Sequence, residues 1–404
     1  MSEMNEANNR QSEEYMMDDF LQQVQKMQMR GPGVVEESFK FYEKWIMHCM
    51  TLFGEESKIV AIAQDLMADL LASNGEWAPA FESYYDALRS TMFSFGDNHI
   101  RTALILEKIG NVCLQMQDLD GALNAFTNSM EKFRRILPLT DPQIIASFHN
   151  IARTHCLNGD DQSLRKALAV YQHSLVTQRS SLKRDLLTEA TALSSVGQIC
   201  SRLGFLDAAI GAHEEALSLK SRVLGDNHFD ISTTLFAIAN IHFNEKDYEL
   251  ALMTFKDCLD IRRSNSCNAE DISTVLFNIA AVSAENGNPT QAIDFFNQAI
   301  SVETASTSES NDTILQCIHH IATLHQSQGK IDEAIKSALQ ASELALSDEK
   351  VSLSYKLELI RLSGNFYLEK GDVTKAHECF AKARELGCKS GLPASSKPVS
   401  ARAA

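Results

Sequence analysis

The sequence predicts an all-α fold, a right-handed α-solenoid of about eight antiparallel helix pairs, on three observations. Helix breakers are scarce, with 7 Pro and 18 Gly in 404 residues, while Leu, Ala, Ile and Ser fill the middle of the chain; such a composition favours helix. A small residue recurs at Ala68, Gly110, Ala152, Gly197, Ala239, Ala280, Ala322 and Gly364, at steps of 42, 42, 45, 42, 41, 42 and 42 residues. Twelve residues after it stands an Ala, at Ala80, Ala122, Ala209, Ala251, Ala292, Ala334 and Ala376; in the remaining unit it is Ala167, three residues late. A fixed long period marks stacked repeats, because one helix pair cannot bury its apolar face alone.

Taken in order, the elements begin with an acidic, polar segment, 1–33, expected to be disordered or weakly helical. Residues 1–11 show no apolar pattern, and 12–29 carry a weak amphipathic one through Met17, Leu21, Val24 and Met27 or Met29. Gly31-Pro32-Gly33 breaks any helix there. A capping helix is expected within 34–60, with Phe39, Tyr42, Trp45 and Ile46 on one side. The array then runs over 61–388, and the Ser/Pro/Ala-rich tail 389–404 is expected to be disordered.

Within the array, a ring stands four residues after the Ala at Tyr84, Phe126, Tyr171, Phe255, Phe296 and Phe380, with His213 and Ala338 departing from the pattern. Three residues further comes another small side chain: Ala87, Ser129, Ser174, Ala216, Cys258, Ala299, Ala341 and Ala383. Small residues belong where two helices cross at about 8–10 Å, and the rings are expected to fill the space between one hairpin and the next. Gly75, Gly204, Gly287, Gly329 and Gly371 mark the end of the first helix. Asp118, Asp247, Asn288 and Asp372 then suit an N-cap, with Pro289 at a first helical position. Linkers between pairs repeat as Gly96-Asp97-Asn98-His99 and Gly225-Asp226-Asn227-His228, with Gly54-Glu55-Glu56-Ser57 a weaker copy. The three extra residues before Ala167 are expected in the loop Gly159-Asp160-Asp161-Gln162-Ser163. Arg134-Arg135 and Arg262-Arg263 end second helices and read as solvated cations favoured by the helix dipole.

Composition narrows the function. A net charge of −16 repels phosphate backbones and anionic lipid surfaces, which argues against nucleic-acid binding. No apolar run approaches the roughly 18 residues of a membrane span, so no membrane insertion is expected. The acidic start has no signal-peptide pattern. Nine Cys without a CxxC pair suit buried thiols in a reducing compartment, and the expected location is cytoplasmic. No Walker loop, HExxH, GxSxG or Cys-His nucleophile pattern occurs, so neither catalysis nor a cofactor is expected. His319, His320 and His325 lack the i, i+4 spacing of a metal pair, so no metal site is expected.

The period of about 42 residues and the helix pair TTLFAIANIHFNEKDYELALMTFKDCLDIR (233–262) behind a Gly-Asp-Asn-His linker resemble the tetratricopeptide repeat in its long, kinesin-light-chain-like form. Some 60 residues without sustained heptads precede the array, unlike a true kinesin light chain, which points to an adaptor or scaffold. The resemblance implies a protein or peptide partner held in a concave groove lined by the first helix of each pair. Positions two before and one after the small residue would line it: Lys108, Asn111, Asn150, Arg153, Ser195, Gln198, Ala237, Asn240, Asn278, Ala281, His320, Thr323, Leu362 and Asn365. Asn150 and Asn278 open the two Asn-Ile-Ala triplets, where related repeats carry groove Asn. Asn supplies both a donor and an acceptor, which suits a peptide backbone; the plainer alternative is a solvated polar face. Arg153, Arg202 and Lys108, with His149, His319 and His320, are expected to give the groove's middle a positive tint, offset by Asp65, Asp69, Glu107, Glu285 and Glu358. The other reading is a regulatory subunit that holds or inhibits an enzyme through the convex face or the N-terminal helix. Self-association is left open.

Overall fold

The computed structural model describes residues 2–28, 35–55, 57–306 and 311–389. The break at Gly31-Pro32-Gly33 and the tail after Lys389 lie outside the described residues. All regular structure among the described residues is helical, and the chain divides into two compact units, Met1–Ala212 and His213–Ala404. The first unit holds α1 (Ser2–Gln28), α2 (Val35–Phe53), α3 (Lys58–Ser73), α4 (Trp77–Phe95), α5 (Ile100–Gln115), α6 (Leu119–Ile136), α7 (Pro142–Asn158), α8 (Asp161–Arg179) and α9 (Leu186–Arg202). The division falls inside α10 (Leu206–Leu224). The second unit continues with α11 (Phe229–Asn244), α12 (Tyr248–Ser264), α13 (Ala269–Glu285), α14 (Pro289–Ala305), α15 (Asp312–Ser327), α16 (Ile331–Ser347), α17 (Leu353–Lys370) and α18 (Val373–Lys389). In each unit, consecutive helices pack as antiparallel pairs, and the second helix of a pair packs on the first helix of the next.

The recurring small residues form the seam of each pair. All eight at the first position are buried, as are all eight Ala at the second and all eight small side chains at the third. Gly110 and Gly364 reveal the tolerance: an added Cβ would stand 2.6 Å from the Phe126 ring and 2.7 Å from the Phe380 ring. The ring of the second helix therefore lies directly on the small residue of its own pair, where the sequence placed it between neighbouring pairs. Phe255 on Phe236 (5.4 Å) and Phe296 on Phe277 (5.3 Å) repeat this contact inside a pair. Contact with the next pair comes in addition, as where Phe296 stacks on His320 at 5.4 Å. His213 and Ala338 take the ring's place and are buried too.

One turn serves every pair. The residue seven after the small one is left-handed in all eight: Gly75, Gly159, Gly204, Gly287, Gly329 and Gly371, but also Gln117 (φ 62°) and Lys246 (φ 66°). In seven of the eight, all but the turn at Gly159, the next N–H bonds back to the helix, as Asp118 to Cys113 and Asp247 to His242, both at 2.9 Å, the paired-bond helix stop that satisfies orphan carbonyls. The linkers are accounted for as well. His99 and His228 cap α5 and α11, each Nδ1 accepting from the N–H two residues on. Asp97 takes the Lys132 ammonium, and Asn98 accepts from Arg135 at 3.2 Å.

Two expectations are corrected. The three extra residues do not lengthen the loop before α8. That helix starts six residues before Ala167, whereas the other second helices start three before their Ala. The insertion is nearly one turn of 3.6 residues, so it extends α8 at its front and keeps its buried face; Asp160 caps the new start by accepting from Ser163 N–H at 2.9 Å. Arg262 is not a solvated terminal cation. It is 6% exposed, donates to Asp271 O at 2.6 Å and lies over the Phe229 and Phe236 rings at 5.7 and 5.2 Å.

The N-terminal pair follows the register with different means. α1 runs through the stretch 2–11 that lacks an apolar pattern. Tyr42 is buried at the ring's register, but Trp45 stands where later pairs carry a small residue. Its bulk is met by Phe20 at 5.4 Å and Phe41 at 5.6 Å, an aromatic cluster in place of a close crossing. Glu13 of α1 also caps α3, accepting from Ser57 Oγ at 2.6 Å and Ile59 N–H at 3.3 Å.

Candidate functional site

The candidate site is the face made by the first helices, α3, α5, α7 and α9 in the first unit and α11, α13, α15 and α17 in the second. The two register positions that the sequence assigned to it behave differently.

At the position two before the small residue, Lys108 and Asn150 of the first unit reach to the preceding first helix. Lys108 on α5 donates to Asp65 at 2.7 Å and Asp69 at 2.8 Å, both on α3. Burial disfavours its charge, but the two carboxylates outweigh burial and hold its pKa above the ordinary lysine value. The Tyr84 hydroxyl donates to Asp69 at 2.6 Å, which extends this network into α4. One repeat further, Asn150 donates to Glu107 at 2.9 Å; burial raises the Glu107 pKa, and the Asn150 bond opposes the rise. In the second unit Asn278 donates to Thr274 O in its own helix at 2.8 Å. His320 lies parallel to the Phe296 ring and edge-on to Phe277 at 5.3 Å.

The position one after it is open on α5, α7 and α9, whereas on α3 it is Asp69, already tied to Lys108 and Tyr84. Asn111, Arg153 and Gln198 stand exposed on α5, α7 and α9, with no side-chain partner among the described residues. In the second unit Asn240 donates to Phe236 O at 2.9 Å, Thr323 donates to His320 O at 2.9 Å, and Asn365 is exposed.

Much of the expected positive tint is spent inside the protein. Lys108 is neutralised by its two carboxylates. Burial lowers the His149 pKa, and burial with His319 nearby lowers that of His320, so both favour the uncharged imidazole. Arg202 closes the end of α7, donating to Cys156 O at 3.3 Å and Gly159 O at 3.4 Å. Arg153 stands exposed on this face of the first unit without an ion-pair partner among the described residues. For three residues at the earlier position the sequence carries a partner of suitable chemistry 43 residues before, in Asp65–Lys108, Glu107–Asn150 and Phe277–His320.

Among the described residues, one group has metal-ligand chemistry: His242, Glu245 and Asp247 at the α11–α12 turn, with ligand atoms within 4.8 Å of one another. The sequence reading passed over it because the residues straddle a turn rather than one helix face.

A tetratricopeptide repeat family model matches residues 59–135, 188–264 and 271–347, more than half of the chain. The chain belongs to the tetratricopeptide repeat family. Its repeats are of a long type, with a period of about 42 residues, and repeats of this family generally mediate protein–protein interaction. The chain is similar to the RxLR effector protein SFI4 of Phytophthora infestans, at 22% identity over 47% of this chain and 56% of that protein; it thus spans little more than half of that relative's length. A STAND signal-transduction ATPase with a tetratricopeptide repeat sensor from Pyrococcus horikoshii shares the fold at TM-score 0.55 and 14% identity, over 81% of this chain and 47% of that one. A putative kinesin light chain with nearly identical repeats from Podosopora anserina is similar at TM-score 0.45 and 15% identity, over 51% of this chain and 97% of that one. No helix among the described residues is long and apolar enough to cross a membrane.

Proposed function

We propose that this tetratricopeptide repeat protein is an interaction scaffold or adaptor that receives a peptide or partner surface on its first-helix face, within the first unit. The observation that carries the reading is the open row Asn111, Arg153 and Gln198 on α5, α7 and α9. Two carboxamides can each donate to and accept from a peptide backbone, and a guanidinium between them suits a carboxylate. The ligand class is therefore an extended segment with an acidic side chain opposite Arg153. The part-buried networks around Lys108 and Asn150 tie adjacent first helices together, which supports that row without a ligand.

The working location is the cytoplasm, on the free, mostly buried cysteines. A second reading rests on a Plasmopara halstedii relative, 18% identical over 56% of this chain and 75% of that protein, which is named a secreted effector protein: the same face would then serve an exported protein. Tagged protein recovered from washed cells and from medium separates the two.

Affinity purification with mass spectrometry, comparing the wild-type chain with an Asn111→Ala, Arg153→Glu, Gln198→Ala variant, tests the site. Loss of the main partners with unchanged helical content supports it. Retention of every partner contradicts it.

A further inference from the structure

The repeat register allows one slot of the first-helix face to be laid over another. Between α3 and α5 the walls are Asp65, three before the small residue Ala68, and Asp69, one after it. Lys108, two before the small residue Gly110 of the next pair, fills the space between them and donates to both, at 2.7 and 2.8 Å. Tyr84 of α4 closes the back. Its hydroxyl donates to Asp69 at 2.6 Å, and the Lys108 ammonium stands 5.7 Å from its ring centre.

Between α7 and α9 the same four positions are His149, Arg153, Ser195 and Tyr171. The back is kept: the Tyr171 ring is buried and lies 5.4 Å from the His149 ring. Its hydroxyl lies beside Ser195 and within the field of the Arg153 guanidinium. The walls have lost their negative charge, with Arg153 in the place of Asp69 and His149 in the place of Asp65. The filler is gone. Ser195 is far shorter than lysine, and its Oγ donates into its own helix, to Thr191 O at 3.1 Å. At this register no side-chain bond spans α7 and α9 among the described residues, and Arg202 joins them at their C-terminal ends instead. His149 Nε2 is shut off from solvent and meets no partner among the described residues, although buried polar groups are nearly always bonded. The Cys156 thiol also stands near the Tyr171 hydroxyl, and burial favours its neutral form. Glu107, the carboxylate of the preceding slot, is taken by Asn150.

We infer that, given the first-helix binding face proposed above, this slot takes an oxyanion, a carboxylate or phosphate on a side chain of the bound segment, which ties α7 to α9 as Lys108 ties α3 to α5. The guanidinium fork of Arg153 donates to two oxygens at once. The Tyr171 hydroxyl and His149, in the tautomer with its hydrogen on Nε2, offer further donors. A neutral side chain in the same place would leave Arg153 unpaired.

The test uses the full chain. Ser195→Glu puts a carboxylate into the slot and should raise the thermal midpoint by at least about 1 °C over Ser195→Gln. With Arg153→Gln added, that difference should vanish. A Glu variant no more stable than the Gln variant overturns the inference, because the slot then has no preference for an anion. Binding is read on immobilised pools of short degenerate peptides that fix one central residue as Glu, phosphoserine, Gln or Ser. The wild-type chain should be retained about tenfold more strongly on the Glu pool than on the Gln pool, or on the phosphoserine pool than on the Ser pool, and the larger ratio identifies the oxyanion. The net charge of −16 works against any unspecific preference for the acidic pools. Ser195→Glu should lose the preference while it gains stability. Equal retention on charged and neutral pools, or a preference that Ser195→Glu leaves intact, overturns the inference. The face itself is judged apart from the slot by Asn111→Ala with Gln198→Ala: release of the partners keeps the face even where the slot fails, and retention of every partner removes the face and the inference with it.

Discussion

Gln117 and Lys246 hold a left-handed backbone that six of eight repeats give to glycine. An L side chain there costs roughly 1–2 kcal/mol, and both residues are exposed, so no packing is lost on removing them. Gln117→Gly and Lys246→Gly should each stabilise the protein by about 0.5–1 kcal/mol after the entropy of the unfolded glycine is deducted. Urea unfolding checks this: the midpoint should rise with an unchanged slope. The turn was legible because glycine marks it in the other units; the two exceptions were not, since nothing in a Gln or Lys signals a positive φ. Glu189 is a second residue with a defined outcome. Its side chain is fully buried, and Arg179 and Arg184 each donate to it at 2.7 Å. Burial works to raise its pKa, but the two guanidinium bonds prevail and hold it below the ordinary value of 4.5. A carboxyl depressed in the folded state contributes stability above its unfolded pKa, which is lost as pH falls through the folded one. Glu189→Gln should therefore cost about 2–4 kcal/mol at neutral pH and flatten the loss of stability below about pH 4.5. An unchanged acid limb in thermal melts across that range would contradict the assignment.

At the scale of the element, the helix pair is governed by how near its two axes come. Gly110 has no room for a methyl group under the Phe126 ring. Gly110→Ala should cost about 1–3 kcal/mol through displaced packing, and Phe126→Leu in that background should recover part of the loss. If the double variant is no more stable than the single one in thermal melts, the close contact is not what limits the site. This seam was readable from spacing, because a close crossing of two helices demands small side chains at fixed registers on both, and three such registers recur. Other features of the elements were not. The insertion before Ala167 gave its length but not its place, since three residues fit a loop or one more turn equally well until helix starts are compared. The cap that Glu13 places on α3 joins residues 44 and 46 positions apart, and no local pattern records it. Arg262 read as a terminal cation because its sequence neighbours end a helix, while its carbonyl and ring partners come from α11 and α13.

At the scale of the whole molecule, two units each stack helix pairs on one register, and function rests on which face is left unpaired. The repeat register puts the candidate residues on the first helices of their pairs. It did not separate the row that bonds to neighbours from the row that stays open, because that depends on contacts 43 residues apart. Lys108 and Asn150 thus read as ligand-binding and serve as ties between adjacent repeats. The most direct test of a first-helix binding face in the first unit is site-specific photocrosslinking. A benzophenone amino acid is placed singly at Asn111, Arg153 or Gln198, and for comparison at exposed second-helix positions such as Glu131 or Arg165. The account predicts partner adducts from the three first-helix positions, competed by unlabelled wild-type chain. Adducts that form only from the second-helix positions would contradict it.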